Sequence, residues 1–148
     1  MPYDDVPDFF NSLKLKNSNS AKALRFLILT ACRSGEVLNA EWGEIDLKHK
    51  TWTIPARRMK AGKEHRVPLT DTMIEILESL PQLNSFVFAG NRSNKPLSNM
   101  AMLTMMRKIG YSKDGELPAF VPHGFRSSFR DWCEEQSSFP HGVIERAL

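Results

Sequence analysis

Apolar residues recur at helical spacing through most of the chain and alternate in only one stretch. Leu24, Leu27, Ile28 and Ala31 share one face of a helix predicted from a cap at Ser20 to about Ala31. Ser34 opens a second, short helix through Trp42, with Val37, Leu38 and Trp42 inward. The period then changes. Thr51–Pro55 (TWTIP) and Glu64–Leu69 (EHRVPL) read as strands around a turn at 60–63, so 45–69 is predicted to be a small sheet with a basic hairpin. Thr70 caps a helix to about Leu80, with Met73, Ile74, Leu77 and Leu80 apolar and Pro81 ending it. Phe86–Phe88 reads as a third short strand, and GNRSNKP (90–96) as a loop. Ser98 opens a methionine-rich helix to about Ile109, and GYSKDGELP (110–118) is a second loop. Pro122 precedes a helix over 123–136 whose predicted buried stripe is Phe125, Phe129, Trp132 and Cys133. Pro140 starts a final helix, and residues 1–19 read as an irregular lead-in. The fold class is α+β, mainly helical, with a small three-stranded antiparallel sheet.

Composition narrows the class. At 148 residues and 41% apolar content the chain fits one domain with a real core. The run Leu24–Leu29 is too short to span a bilayer, and the acidic start MPYDDVPDFF is not a secretory signal. Cys32 and Cys133 are read as reduced, buried thiols. Met100, Met102, Met105 and Met106 are read as core, as are Trp42, Trp52 and Trp132. The four histidines and two cysteines show no metal-site spacing, and no glycine-rich phosphate loop is present, so neither metal nor cofactor is expected.

Charge supplies the candidate chemistry. The net charge of +3 says little, but Arg57, Arg58, Lys60, Lys63 and Arg66 cluster on the predicted hairpin against only Glu64. Arg33 stands at the junction before the second helix, with Glu36 three residues on to orient it. His123 and Arg126 are three apart, on one face of a helix. Phosphoryl transfer concentrates negative charge on non-bridging oxygens. Two guanidinium groups match those oxygens, a lysine can protonate a departing alkoxide, and a histidine can donate to the phosphate or move a proton. Fixed cations in a preorganised site can do what a metal ion does elsewhere.

ILTACRSGEVLNAEWGEIDL, RMKAGKEHRVPL and HGFRSSFRDW, in this order, resemble the boxes of the tyrosine recombinases, specifically the prophage integrases. The resemblance runs from about Leu24 to Leu148 and makes 20–148 a C-terminally incomplete catalytic domain, with 1–19 a linker from missing N-terminal DNA-binding domains. It implies that Arg33 and Arg126 bind the scissile phosphate, that Lys60 is the general acid for the 5′ oxygen, and that His123 assists proton transfer. Glu36 supports the site, and Arg58 and Lys63 contact DNA. The family's nucleophilic tyrosine is expected beyond Leu148. Tyr3 and Tyr111, the only tyrosines, do not fit its position, and His141 falls too early for the family's further histidine. The implied activity is site-specific DNA recombination through a 3′-phosphotyrosine, without a cofactor, this fragment being inactive alone. The implied partners are double-stranded DNA attachment sites and, for the whole protein, other protomers in a tetramer, with the fragment monomeric. The implied location is the bacterial cytoplasm, at the nucleoid, with no membrane. Two other readings are a DNA-binding module that keeps the phosphate cleft without cleaving, and a basic protein-interaction domain, which predicts no salt-dependent DNA affinity.

Overall fold

The computed structural model describes residues 1–111 and 120–148, so most of the predicted 110–118 loop lies outside the described residues. The central element is helix α2 (Asn19–Thr30), with α1 (Val6–Lys14) before it and the short α3 (Ser34–Leu38) after it. Ser18 caps α2 by accepting the Ala21 N–H at 3.2 Å, two residues earlier than the predicted cap. Ala21, Ala23, Leu24, Phe26 and Leu27 are all fully buried, so this helix is covered on nearly every side. Even Lys22 is buried, its Nζ donating to the Ser79 carbonyl at 2.9 Å.

Strands β1 (Ile45–Asp46), β2 (Thr51–Ile54) and β3 (His65–Pro68) form an antiparallel sheet in the order β1-β2-β3. Trp52 pairs with Ile45 on one side and Val67 on the other. Alternation along β2 sends Trp52 and Ile54 into the core and leaves Thr51 and Thr53 half-buried. Phe26 of α2 meets Trp52 and Phe88 with ring centroids 5.4 and 5.6 Å away, which ties the sheet to the helices.

Helix α4 (Asp71–Glu78) begins at the predicted cap, where Thr70 Oγ1 accepts the Met73 N–H at 3.4 Å. Helices α5 (Ala101–Lys108), α6 (Gly124–Gln136) and α7 (His141–Ala147) complete the order. Met102 and Met106 are buried as expected, while Met100 is exposed. Both cysteines are free and buried. No helix among the described residues is long and apolar enough to cross a membrane.

Four expectations are corrected. The lead-in is not irregular: α1 buries Phe9 and Leu13, one turn apart, and Phe9 stacks on Phe125 at 5.3 Å. The second helix stops at Leu38, where Asn39 satisfies the Gly35 carbonyl with both its N–H and its side-chain amide, and Trp42 opens a separate 3₁₀ turn. The third strand is Ile45–Asp46. The 86–88 segment instead makes a single bridge to Glu41, and Val87 N–H donates to Ala40 O at 2.8 Å. On α6 the buried stripe is Phe125, Ser128 and Cys133, and Trp132 is exposed. The N-terminal segment covers this face, with Tyr3 Oη donating to Glu135 at 2.6 Å and Ser128 Oγ donating to the Met1 carbonyl.

Candidate active site at the break between α2 and α3

Between α2 and α3 the backbone reverses through Ala31, a non-glycine residue in the left-handed region (φ 50). That turn leaves the Ala31 carbonyl free of the helix, and Arg126 Nη1 of α6 donates to it at 2.7 Å. Arg126 Nη2 donates to the main-chain oxygen of Leu148 at 2.6 Å. Arg126 therefore reaches across from α6 to the start of α3, where Arg33 stands.

Arg33 occupies the residue before α3. Buried Glu36 holds it twice: the carboxylate accepts the Arg33 backbone N–H at 2.8 Å and its Nη1 at 2.9 Å. This is the reach-back half of a capping box, so one carboxylate both starts the helix and aims the guanidinium. Burial holds the Arg126 pKa below its ordinary value, and the nearby Arg33 charge lowers it further. Two guanidinium groups thus lie within each other's field, an arrangement that an anion between them would relieve.

Two hollows carry the other cations. One of about 430 Å³ is lined by Arg33, Glu36, Arg58, Met59 and Lys60, among others. The second, of about 190 Å³, is lined by His123, Arg126, Ser127, Arg130, Glu145 and Leu148. Arg33 and Lys60 are brought together, as are His123 and Arg126. Lys60 and His123 are exposed, and Lys60 forms no ion pair among the described residues. Lys63 is exposed on the hairpin and lines neither hollow.

Arg58 differs from the expected DNA contact. Its side chain is 14% exposed and turned inward onto Glu44, itself 9% exposed. Nε and Nη2 donate to the two Glu44 oxygens at 2.9 and 2.6 Å, and Nη1 donates to the Glu36 carbonyl at 3.2 Å. Glu44 also accepts the Trp52 indole N–H at 3.0 Å.

Sequence reasoning missed Glu44 and Arg130. Arg130 lies one turn beyond Arg126 and pairs with Glu145 of α7, so the helical period of HGFRSSFR contains the signal. Glu44 and Arg58 meet across 14 residues by folding of the sheet, and no local period connects them. Neither tyrosine lines the two hollows. Tyr111 packs edge-on to Phe9 at 4.6 Å, and Tyr3 borders a separate apolar hollow with Val6, Phe125 and Trp132. No cluster of three metal-ligating side chains occurs among the described residues.

The chain is 34% identical over 152 residues to the prophage integrase IntZ of Escherichia coli K12, spanning 100% of this chain and 37% of that protein. It is 33% identical to the integrase of Shigella phage Sf6, spanning 100% of this chain and 39% of that protein. The chain thus spans about two fifths of the length of these curated relatives. Its fold matches the XerA recombinase at a TM-score of 0.72 and 16% identity, over 100% of this chain and 55% of that one. It also matches the XerH site-specific recombinase, solved bound to its difH substrate, at 0.69 and 18% identity, over 100% of this chain and 46% of that one. The phage integrase family model matches residues 1–147, and the chain belongs to that family.

Proposed function

We propose that this chain is the phosphate-activating part of a site-specific DNA recombinase acting on double-stranded attachment sites, in integration or excision of a mobile element. The observation that carries this reading is the reach of Arg126 to the Ala31 carbonyl, two residues before Arg33, beside a hollow that Arg33 and Lys60 line together. Arg33 and Arg126 hold the non-bridging oxygens of the scissile phosphate. A tyrosine oxygen attacks phosphorus as His123 takes its proton, the bond from phosphorus to the 5′ oxygen breaks, and the Lys60 ammonium gives its proton to that oxygen. The products are a 3′-phosphotyrosine and a 5′-hydroxyl. His123 donates to the phosphate and assists proton movement. Religation reverses these steps, so no cofactor or energy source enters.

The nucleophilic tyrosine comes from polypeptide outside these 148 residues, because Tyr3 and Tyr111 are both engaged away from the two hollows. The chain alone therefore binds DNA without forming a covalent adduct, and protomers assemble only in the whole protein.

The test is duplex binding followed by fluorescence anisotropy between about 50 and 200 mM salt. Affinity should fall steeply with salt, and the chain carrying both Arg33→Ala and Arg126→Ala should lose roughly one unit of the log–log slope. Salt-independent binding, or an unchanged slope, would sink the reading. In full-length protein, Arg126→Ala should slow strand cleavage by roughly 10²–10³ while most DNA binding survives. Unchanged cleavage would remove Arg126 from the site.

A further inference from the structure

The geometry points to Arg58 as a positioning residue that fixes the Lys60 hairpin against the Arg33 turn, and so sets where the proton donor stands. This rests on the reading of Lys60 as general acid given above. Arg58 closes the 3₁₀ turn Ala56–Arg58 that leaves β2, and Lys60 follows two residues later. Every nitrogen of its guanidinium is committed inside the protein. Two take Glu44 in a fork, and the third takes the carbonyl of Glu36, whose carboxylate holds Arg33. A line of direct bonds therefore runs from the base of the hairpin through Arg58 and Glu36 to Arg33.

Glu44 anchors the other end. It sits in the 3₁₀ turn before β1 and also holds Trp52 of β2, a fully buried residue at the centre of the sheet. The pair is thus rooted in the core. Beyond Arg58 the chain is held only by half-buried Met59, which packs on the core, and by a turn in which Gly62 N–H donates to the Met59 carbonyl at 3.0 Å. Ala61, Gly62, Lys63 and Glu64 are exposed, and Lys60 itself has no ion-pair partner among the described residues. The proton donor stands on an exposed tip whose last directional anchor is the Arg58 fork, with only the apolar contact of Met59 between them. A planar fork onto a carboxylate sets direction as well as distance, which a lysine at the same place would not do. Small displacements of a reacting group cost rate steeply.

The test compares strand cleavage by full-length protein on two DNA substrates. One carries the ordinary bridging 5′ oxygen. The other carries a bridging 5′ sulfur, whose thiolate leaves without a proton. Lys60→Ala is the control: it should cut slowly at oxygen, by roughly 10²–10⁴, and recover at sulfur. Arg58→Met should slow cleavage at oxygen roughly 10- to 100-fold and cleave the sulfur substrate at close to the native rate. Glu44→Gln keeps the shape of the anchor while removing its charge. It should show the same sulfur-selective pattern more weakly, and serves if Arg58→Met does not fold. Equal slowing on both substrates, or no slowing on either, by a variant that keeps a native melting curve, overturns the positioning role. A Lys60→Ala variant that sulfur does not rescue would instead remove Lys60 as the acid, and the role of Arg58 with it. Rescue of Lys60→Ala without rescue of Arg58→Met sinks the Arg58 inference alone.

Discussion

Cys32 lies among Arg33, Arg126 and Glu36, where two cations would be expected to favour a thiolate. Burial wins instead and pushes its thiol up to about 11 from an ordinary 9.0. At neutral pH the group is protonated, enclosed and unfit as a nucleophile. Iodoacetamide should label Cys32 only as the chain unfolds; rapid labelling of folded protein would contradict the burial. The unfolded chain loses this proton near 9 and the folded chain only near 11, so the unfolded state holds fewer protons in between. Stability should therefore be intact below pH 9 and fall by about 2–3 kcal/mol as pH rises toward 11. Denaturant titrations of Cys32→Ala should lack this part of the fall. At this scale the motifs singled out Arg33, Glu36, His123 and Arg126 as candidates, and the structure sets them around the α2–α3 break and the start of α6. The inward turn of Arg58 was not legible, because its partner Glu44 is brought to it only by strand pairing.

Among the elements, α1 carries the clearest lesson. Its apolar positions Val6, Phe9 and Leu13 follow a helical period, but the polar run NSNS just after them masks the signal. The helix is part of the core, since Phe9 contacts both Phe125 of α6 and Tyr111. Phe9→Ala should cost about 3–5 kcal/mol in chemical denaturation. A loss under 1 kcal/mol would mean that the segment is an attached linker. Strands β2 and β3 were legible because their residues alternate in burial over four positions. Strand β1 was not, since two residues, Ile45 and Asp46, carry no period. Which segment completes the sheet was decided by the turn that Asp46 makes with His49, through the His49 N–H at 2.9 Å and ring Nδ1 at 2.7 Å.

Across the whole molecule, one apolar cluster takes in Phe9 of α1, the interior of α2, Trp52 of the sheet, Met102 and Met106 of α5, and Phe125 of α6. The cations of the site hang on its surface from three different segments. A core shared this widely predicts one cooperative unfolding transition. In a chain carrying Trp42→Phe and Trp132→Phe, tryptophan fluorescence, which then sees only Trp52 in the sheet, and far-ultraviolet dichroism, which sees the helices, should trace the same curve in urea. Separate midpoints would show that the sheet and the helical layer unfold as independent units. The general class was readable from sequence because the periods are strong. The meeting of hairpin, α3 and α6 was not, because it is a product of long-range packing around α2.

The bond from Arg126 to Ala31 has a consequence for how the site keeps its charge. The carbonyls at the end of α2 gather the negative pole of a twelve-residue helix, roughly half an elementary charge. Arg126 donates to two main-chain oxygens, of Ala31 and Leu148, and feels the Glu36 carboxylate only through space. Arg33, by contrast, shares its charge with Glu36. The two arginines are therefore unequal: Arg33 is paired directly with a carboxylate, and Arg126 is held by main-chain oxygens. On the proposed reading a phosphate held by both would meet a lopsided pair, so its two non-bridging oxygens would not be equivalent.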